Sequence, residues 1–350
     1  MKRAALITAS LFGLLGIAVQ FSLVANTFIA VPPEDTDAAA IWFQAGRIRD
    51  DARLYEPVPG YGPHYMAYEF SADARPYPIH NSPYLPLLSS ITSLLPRTSL
   101  PTFQRAWSVI LLLAFLGFAT VLARIAAGRF DVVRMIAAVG LLHVTPGALD
   151  AMRYGNVEPL LWFAFAWAVA DRRVTGALLV MMTMTKPYAV WPLLFAGARC
   201  RSVRRSALVG LGATTVLCVA AIGPVDLVRA AWDWVRIVPA MLGQGSFAAD
   251  NYSLSFAALR LARAAGIWDY QSGPITDAWP RVWLLVASIG IPLAVGYATR
   301  RLDPRMQVSL VMLAALLAAP LCWRFYLVVG WVPVALWLEN RRTATARAGS

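Results

Sequence analysis

From Ala4 to Val31 the chain runs 28 residues without a charge, and nine more apolar stretches follow, at about 106–123, 135–149, 157–170, 174–185, 187–198, 206–223, 282–298, 306–320 and 325–338. Hydrocarbon offers a backbone N–H or C=O no partner, so a run of this kind folds as a helix that satisfies its own backbone. The fold class this dictates is an all-α polytopic membrane protein with about ten membrane-inserted helices, forming a single integral membrane domain over residues 1–350. Composition excludes a water-soluble domain: 59% of the residues are hydrophobic and 14% charged, where soluble domains carry roughly a quarter charged. The first run is too long for the apolar region of a cleaved signal and reads as a retained helix.

The connecting charges test this count, because cytoplasmic loops collect Lys and Arg. Alternating from a cytoplasmic N-terminus, the inner segments hold 17 of the 31 basic residues and four of the 19 acids, a net +13, and the outer segments net −1. The assignment is self-consistent and puts both termini in the cytoplasm of a multi-pass protein of the plasma (inner) membrane. The overall charge of +12 is spread in short clusters between apolar runs. That pattern suits orientation in a lipid bilayer and argues against nucleic acid as a partner.

One stretch does not fit a simple span. Residues 174–198 have Arg172 and Arg173 before them and the Arg199–Arg205 cluster after them, so both ends belong in the cytoplasm. A hairpin broken at Lys186-Pro187 resolves this, since proline disfavours helix through the residue before it. Each arm then reaches roughly 18 Å, against a hydrocarbon core of about 30 Å. The competing reading is one tilted 25-residue span. Several half-length helices predict a wet depression entered from the outside, floored by the 153–158 turn and Lys186. Above it stand two outer regions, 32–104 and 224–281, with amphipathic interfacial helices expected at Asp37–Asp50, Pro83–Leu95, Ala230–Met241 and Leu254–Ala264.

Polar residues beside the hydrocarbon are costly and thereby candidates for function. Asp35 and Asp37 leave the membrane just after the first helix, where a partly desolvated carboxylate can act as general base; they also read as N-capping acids. Arg153, Asn156 and Glu158 form a polar knot with Tyr154 and Gly155 between apolar runs. The Gly155 and Asn156 N–H groups could face an anion there, or the knot could be an outer loop with Asn156 capping the next helix. Lys186 and Lys2 are the only lysines, and an ammonium at the tip of a broken hairpin suits a phosphate leaving group, although it could equally snorkel to the interface. Arg324, between Trp323 and Phe325, is a second phosphate candidate or an interfacial anchor. Tyr77, His80, Asn81 and Tyr84, among three prolines, suit a sugar-binding edge or an aromatic belt. Cys200, Cys218 and Cys322 lie far apart and read as core residues; neither a metal nor a cofactor is expected.

Several of these segments occur in a recognisable order. Asp37, Trp42-Phe43-Gln44-Ala45-Gly46-Arg47, Leu54-Tyr55, and Tyr77-Pro78-Ile79-His80-Asn81-Ser82-Pro83 running on to Leu94-Leu95-Pro96 resemble the N-terminal part of glycosyltransferase family 87. Tyr154-Gly155-Asn156 is similar to that family's Gly-Gln turn, and Gly176 through Thr185-Lys186-Pro187 to its Lys-Pro hairpin. The stretch Asn251–Leu261 is also similar. The resemblance implies a GT-C fold and transfer of a hexose, mannose first, or of a pentose from a polyprenyl-phosphate sugar donor to a lipid or glycan acceptor. It further implies that the acid after the first helix is the base and that Lys or Arg holds the donor phosphate. Three departures stand out: one extra residue between Asp37 and Ala45-Gly46, Asn156 in place of Gln, and Ile79-His80-Asn81 within the usual Tyr-Pro-Pro run. A lipid or small-solute transporter is the alternative from another class, but no internal repeat supports it.

Overall fold

The computed structural model describes residues 2–29, 37–50, 54–55, 65–69, 76–80, 85–145, 147–244, 252–269, 275, 277–320, 322 and 324–348. Helix α1 (Lys2–Ile29) is followed by α2 (Asp37–Arg49), an antiparallel pair β1 (Tyr65–Glu69) and β2 (Pro76–His80), and α3 (Leu87–Leu94). The central elements are α4 (Leu100–Ala127), α5 (Val132–His143), α6 (Ala148–Arg153), α7 (Glu158–Ala170), α8 (Thr175–Thr183), α9 (Val190–Arg199) and α10 (Arg201–Ile222). The chain continues with α11 (Pro224–Gln244), α12 (Leu254–Ala264), α13 (Ala278–Ala298), α14 (Pro304–Ala318) and α15 (Trp331–Ala348). Short 3-10 segments at Pro187–Ala189 and Arg324–Gly330 precede α9 and α15. The protein is helical, as its apolar runs dictate, with β1–β2 as a small exception between α2 and α3.

Among the described residues, α1, α4, α10 and α13 are each long and apolar enough to cross a membrane. Their outward faces are greasy: Leu11, Phe12 and Leu15 on α1, Leu208 and Val209 on α10, and Leu285 and Val286 on α13 are all exposed. Water would penalise such faces and hydrocarbon would not. Helix contacts rest on small residues, as expected where lipid competes equally for apolar side chains. A methyl group on Gly140 of α5 would lie 2.5 Å from the Ala9 carbonyl of α1, and one on Gly176 of α8 would lie 2.0 Å from the Val203 carbonyl of α10. Neither site has room for a side chain. Cys218 and Cys322 are buried, and none of the three cysteines forms a disulfide.

The broken hairpin is present. Helix α8 ends at Thr183, Lys186 is extended, and Pro187 opens the 3-10 turn into α9. The arms have 9 and 10 residues, roughly 14 and 15 Å of helix. The ends of α7 and α9 meet the starts of α8, α10 and α14 around one cavity, which places Arg172, Arg199 and Arg305 together. Arg305 also pairs with Glu339 of α15 at 2.9 Å, and Arg342 of α15 donates to the Ala127 carbonyl at the end of α4. The basic helix ends thus gather on one side, leaving the tip of the hairpin and the 153–158 turn at the opposite helix ends.

The outer helices differ from their sequence-based expectation. Helix α2 is not a surface helix with one wet face: from Ala38 to Ile48 all but Trp42 and Arg47 are buried. Four alanines and a glycine make it slim enough to be enclosed, so its single apolar stripe was a poor guide. Helix α3 turns its polar side inward, and Ser89 donates to the Gln44 carbonyl oxygen of α2 at 2.5 Å, while Leu94 and Leu95 are exposed. Arg49 closes the end of α3 by donating to the carbonyls of Thr92, Ser93 and Leu95 at 2.6, 3.1 and 3.0 Å, a side-chain cap on the last carbonyls of the helix. The Leu85 N–H, just before α3, donates to the Thr185 carbonyl at 3.1 Å. This bond fastens the start of α3 to the hairpin tip.

Candidate active site

The first residue of α2 and the turn between α6 and α7 are built against each other. The Asp37 N–H donates to the Tyr154 carbonyl at 3.1 Å, and the Trp107 indole N–H of α4 donates to the Gly155 carbonyl at 2.8 Å. Gly155 sits at φ +61°, a left-handed conformation that costs a side-chain-bearing residue energy. A methyl group there would also approach the Ala38 side chain to 3.1 Å. The glycine therefore sets how closely the turn approaches Asp37.

Asn156 uses both ends of its amide. Its carbonyl oxygen accepts the Glu158 N–H at 2.9 Å, capping the start of α7, and its NH2 donates to Asp37 Oδ2 at 2.5 Å. A carboxylate only accepts and a backbone N–H only donates, so this orientation is the one that satisfies both. The Gly155 and Asn156 N–H groups, by contrast, donate to the carbonyls of Met152 and Ala151 at 3.2 and 2.8 Å. The expectation that they hold an anion is overturned, because the tight end of α6 uses them internally.

Below Asn156 lies a buried ion pair. Lys186 Nζ donates to Glu158 Oε1 at 2.7 Å and to the Tyr326 hydroxyl at 3.1 Å, and it lies 4.3 Å from the centre of the Tyr326 ring. The Tyr188 hydroxyl lies 3.1 and 3.3 Å from the two Glu158 oxygens. Glu158 is 1% and Lys186 4% exposed. Burying two ions is costly, and the arrangement persists because the charges cancel and the remaining polar atoms find hydrogen-bond partners. Lys186 therefore does not snorkel to an interface. Glu158 is enclosed by Lys186 and Tyr188.

The continuous path is Asp37, Asn156, Glu158 and Lys186, four of the sequence candidates on three separate segments. Asp37 is half-buried at its rim. Arg153 ends α6, is exposed, and forms no ion pair among the described residues. Arg324 is 43% exposed and pairs with Asp150 of α6 at 2.5 Å, two residues before the Tyr326 that contacts Lys186. Tyr77 and His80 belong to strand β2, whereas Asp35, Asn81 and Tyr84 lie outside the described residues. Sequence reasoning missed Tyr188, Tyr326, Trp107 and Asp150. The first two stand two residues after Lys186 and Arg324 at helix breaks, a spacing that could have marked them. Among the described residues no three His, Cys, Asp or Glu side chains gather as metal ligands would.

The family model for glycosyltransferase family 87 matches residues 80–323, well over half of the chain. The matched stretch contains Asn156, Glu158, Lys186 and Tyr188, and starts after Asp37. No curated protein and no solved structure matches the chain.

Proposed function

The chain belongs to glycosyltransferase family 87 and is a membrane-embedded glycosyltransferase; from that premise we propose that it moves a hexose, with mannose as the first candidate and a pentose as the second, from a polyprenyl-phosphate sugar to a lipid or glycan hydroxyl. The reaction runs at the outer face of the plasma membrane, with inversion and with Asp37 as general base. The observation that carries this reading is the hydrogen-bonded path from Asp37 through Asn156 to the buried Glu158–Lys186 pair.

In the proposed step the acceptor hydroxyl gives its proton to Asp37 as its oxygen attacks the anomeric carbon. The bond from that carbon to the phosphate oxygen breaks, and polyprenyl phosphate departs with the electron pair. A base held on one oxygen by Asn156 keeps its orientation while the proton moves, which is how positioning lowers a barrier. Retention by double displacement would need a carboxylate nucleophile, and Glu158, the other acid on this path, is enclosed and engaged on both oxygens. That supports direct displacement. The departing phosphate gains charge, which cations at the site offset. Arg153 is open to solvent and Arg324 partly so, and these two suit direct contact with the phosphate. Lys186, held by Glu158, fixes the floor beneath them.

The location follows from charge and depth. The donor's phosphate rides at headgroup level and its polyprenyl chain stays in lipid, so a site at the mouths of half-length helices meets both. The net +13 against −1 between the two sets of loops supports the outer face. The test is to supply the purified protein with synthetic polyprenyl-phosphate mannose and, separately, pentose donors, together with a membrane lipid extract as acceptor. Mass spectrometry and NMR of the product are expected to give one added sugar with inverted anomeric configuration. A product of retained configuration, or transfer only from nucleotide sugars, would contradict the proposal.

A further inference from the structure

Helices α7 and α8 carry the candidate active site near one end and line a cavity at the other. This cavity holds about 200 Å3 between the ends of α7 and α9 and the starts of α8, α10 and α14. Arg172, Arg199 and Arg305 line it together with the apolar Val169, Ala196 and Val203, and no carboxylate does. The three guanidinium groups are not equally compensated. Arg305 pairs with Asp303 at 3.5 Å and with Glu339 at 2.9 Å. Arg199 donates to neutral acceptors, the Gln307 side-chain oxygen at 2.7 Å and the Leu302 carbonyl at 3.3 Å. Arg172 is exposed and forms no ion pair among the described residues. The nearest other acid in sequence, Asp171, accepts from the Arg173 N–H. Arg172 and Arg199 thus line the cavity without a carboxylate partner among the described residues.

We propose that this cavity binds the phosphodiester of an anionic phospholipid. A guanidinium pair recognises two phosphate oxygens by charge and by donor geometry, and basic pockets between membrane helices on the Arg-rich side suit lipid headgroups. A lipid fits better than free phosphate because Ala168, Val169, Ala196 and Val203 give the cavity apolar walls in a membrane-embedded chain. The site also has a structural consequence. It joins the bases of α8 and α9, which are too short to cross the bilayer, to α7, α10 and α14, so an occupant holds the foot of the hairpin whose tip carries Lys186.

The test uses the purified full chain in neutral detergent, titrated with phosphatidylglycerol, phosphatidylcholine or inorganic phosphate and read by native mass spectrometry and thermal melting. Phosphatidylglycerol is expected to remain bound and to raise the melting temperature, and phosphatidylcholine and inorganic phosphate are not. Arg172→Gln is expected to weaken phosphatidylglycerol binding about fivefold, and Arg172→Gln with Arg199→Gln about 25-fold, taking roughly a fivefold effect per arginine. Arg341→Gln, exposed on α15 and stacked on Trp337 outside the cavity, serves as control and leaves binding unchanged. Arg172 is exposed, so its single variant keeps the test valid if the double variant misfolds. Equal retention of phosphatidylcholine, equal protection by inorganic phosphate, or an Arg172→Gln variant that binds like Arg341→Gln would each overturn the proposal.

Discussion

The ammonium of Lys186 and the carboxylate of Glu158 stabilise the fold little as a pair and destabilise it strongly once separated. Removing one partner from a buried pair leaves an uncompensated ion and costs about 3–5 kcal/mol, whereas replacing both with apolar groups is often neutral. Lys186→Met and Glu158→Leu are each expected to lower stability in detergent by that amount. The double variant is expected to recover most of it while staying impaired in sugar transfer; thermal melts beside a transfer assay separate the two effects. A double variant as unstable as either single one would mean that the pair is not acting as a unit. These two residues, with Asp37 and Asn156, were legible in the sequence because polar groups beside an apolar run are conspicuous. Tyr188, Tyr326 and Trp107 were not, because an aromatic near a membrane interface looks the same whether it anchors a helix or bonds to an ion. Asp150 belongs to no sequence motif, and only its contact with Arg324 marks it.

Helices were legible where charge and proline pattern constrained them and illegible where side-chain size decided. The Lys186-Pro187 break followed from basic residues at both ends of one apolar stretch, and α12 begins and ends where its amphipathic pattern does. Helix α2 misled, because a stripe of Ile41, Ala45 and Ile48 says nothing about whether the alanines opposite are covered too. The inward polar face of α3 was equally hidden, since its partner Gln44 is distant in sequence. Two predictions belong here. Arg49→Ala removes three bonds to the carbonyls ending α3 and is expected to cost about 1.5–3 kcal/mol, the range for charged hydrogen bonds, read as a lower melting temperature. Gly155→Ala is expected to cost about 1–2 kcal/mol for the left-handed backbone and, by pushing the turn off Ala38, to lower kcat more than it raises KM. Steady-state kinetics check the second; an unchanged kcat would show that the spacing of turn and helix does not matter.

The alternation of apolar runs and arginine clusters made much of the architecture readable, while the packing by glycines and the meeting of three segments at one site required coordinates. The family match, over residues 80–323, reaches the floor of the site and leaves its proposed base outside. If the basic helix ends face the cytoplasm, Thr345→Cys in a Cys200→Ser background is expected to resist a membrane-impermeant maleimide in intact cells, and Leu261→Cys on exposed α12 to react with it. The reverse pattern would invert the topology. The chemistry itself is most directly tested by initial rates of transfer from polyprenyl-phosphate sugar for the wild type, Asp37→Asn and Asp35→Asn, each first checked for an unchanged melting temperature. A positioned general base contributes about 10²–10⁴-fold, so Asp37→Asn is expected to lose that much rate while Asp35→Asn stays within a few-fold of wild type. Undiminished transfer by Asp37→Asn would contradict the account.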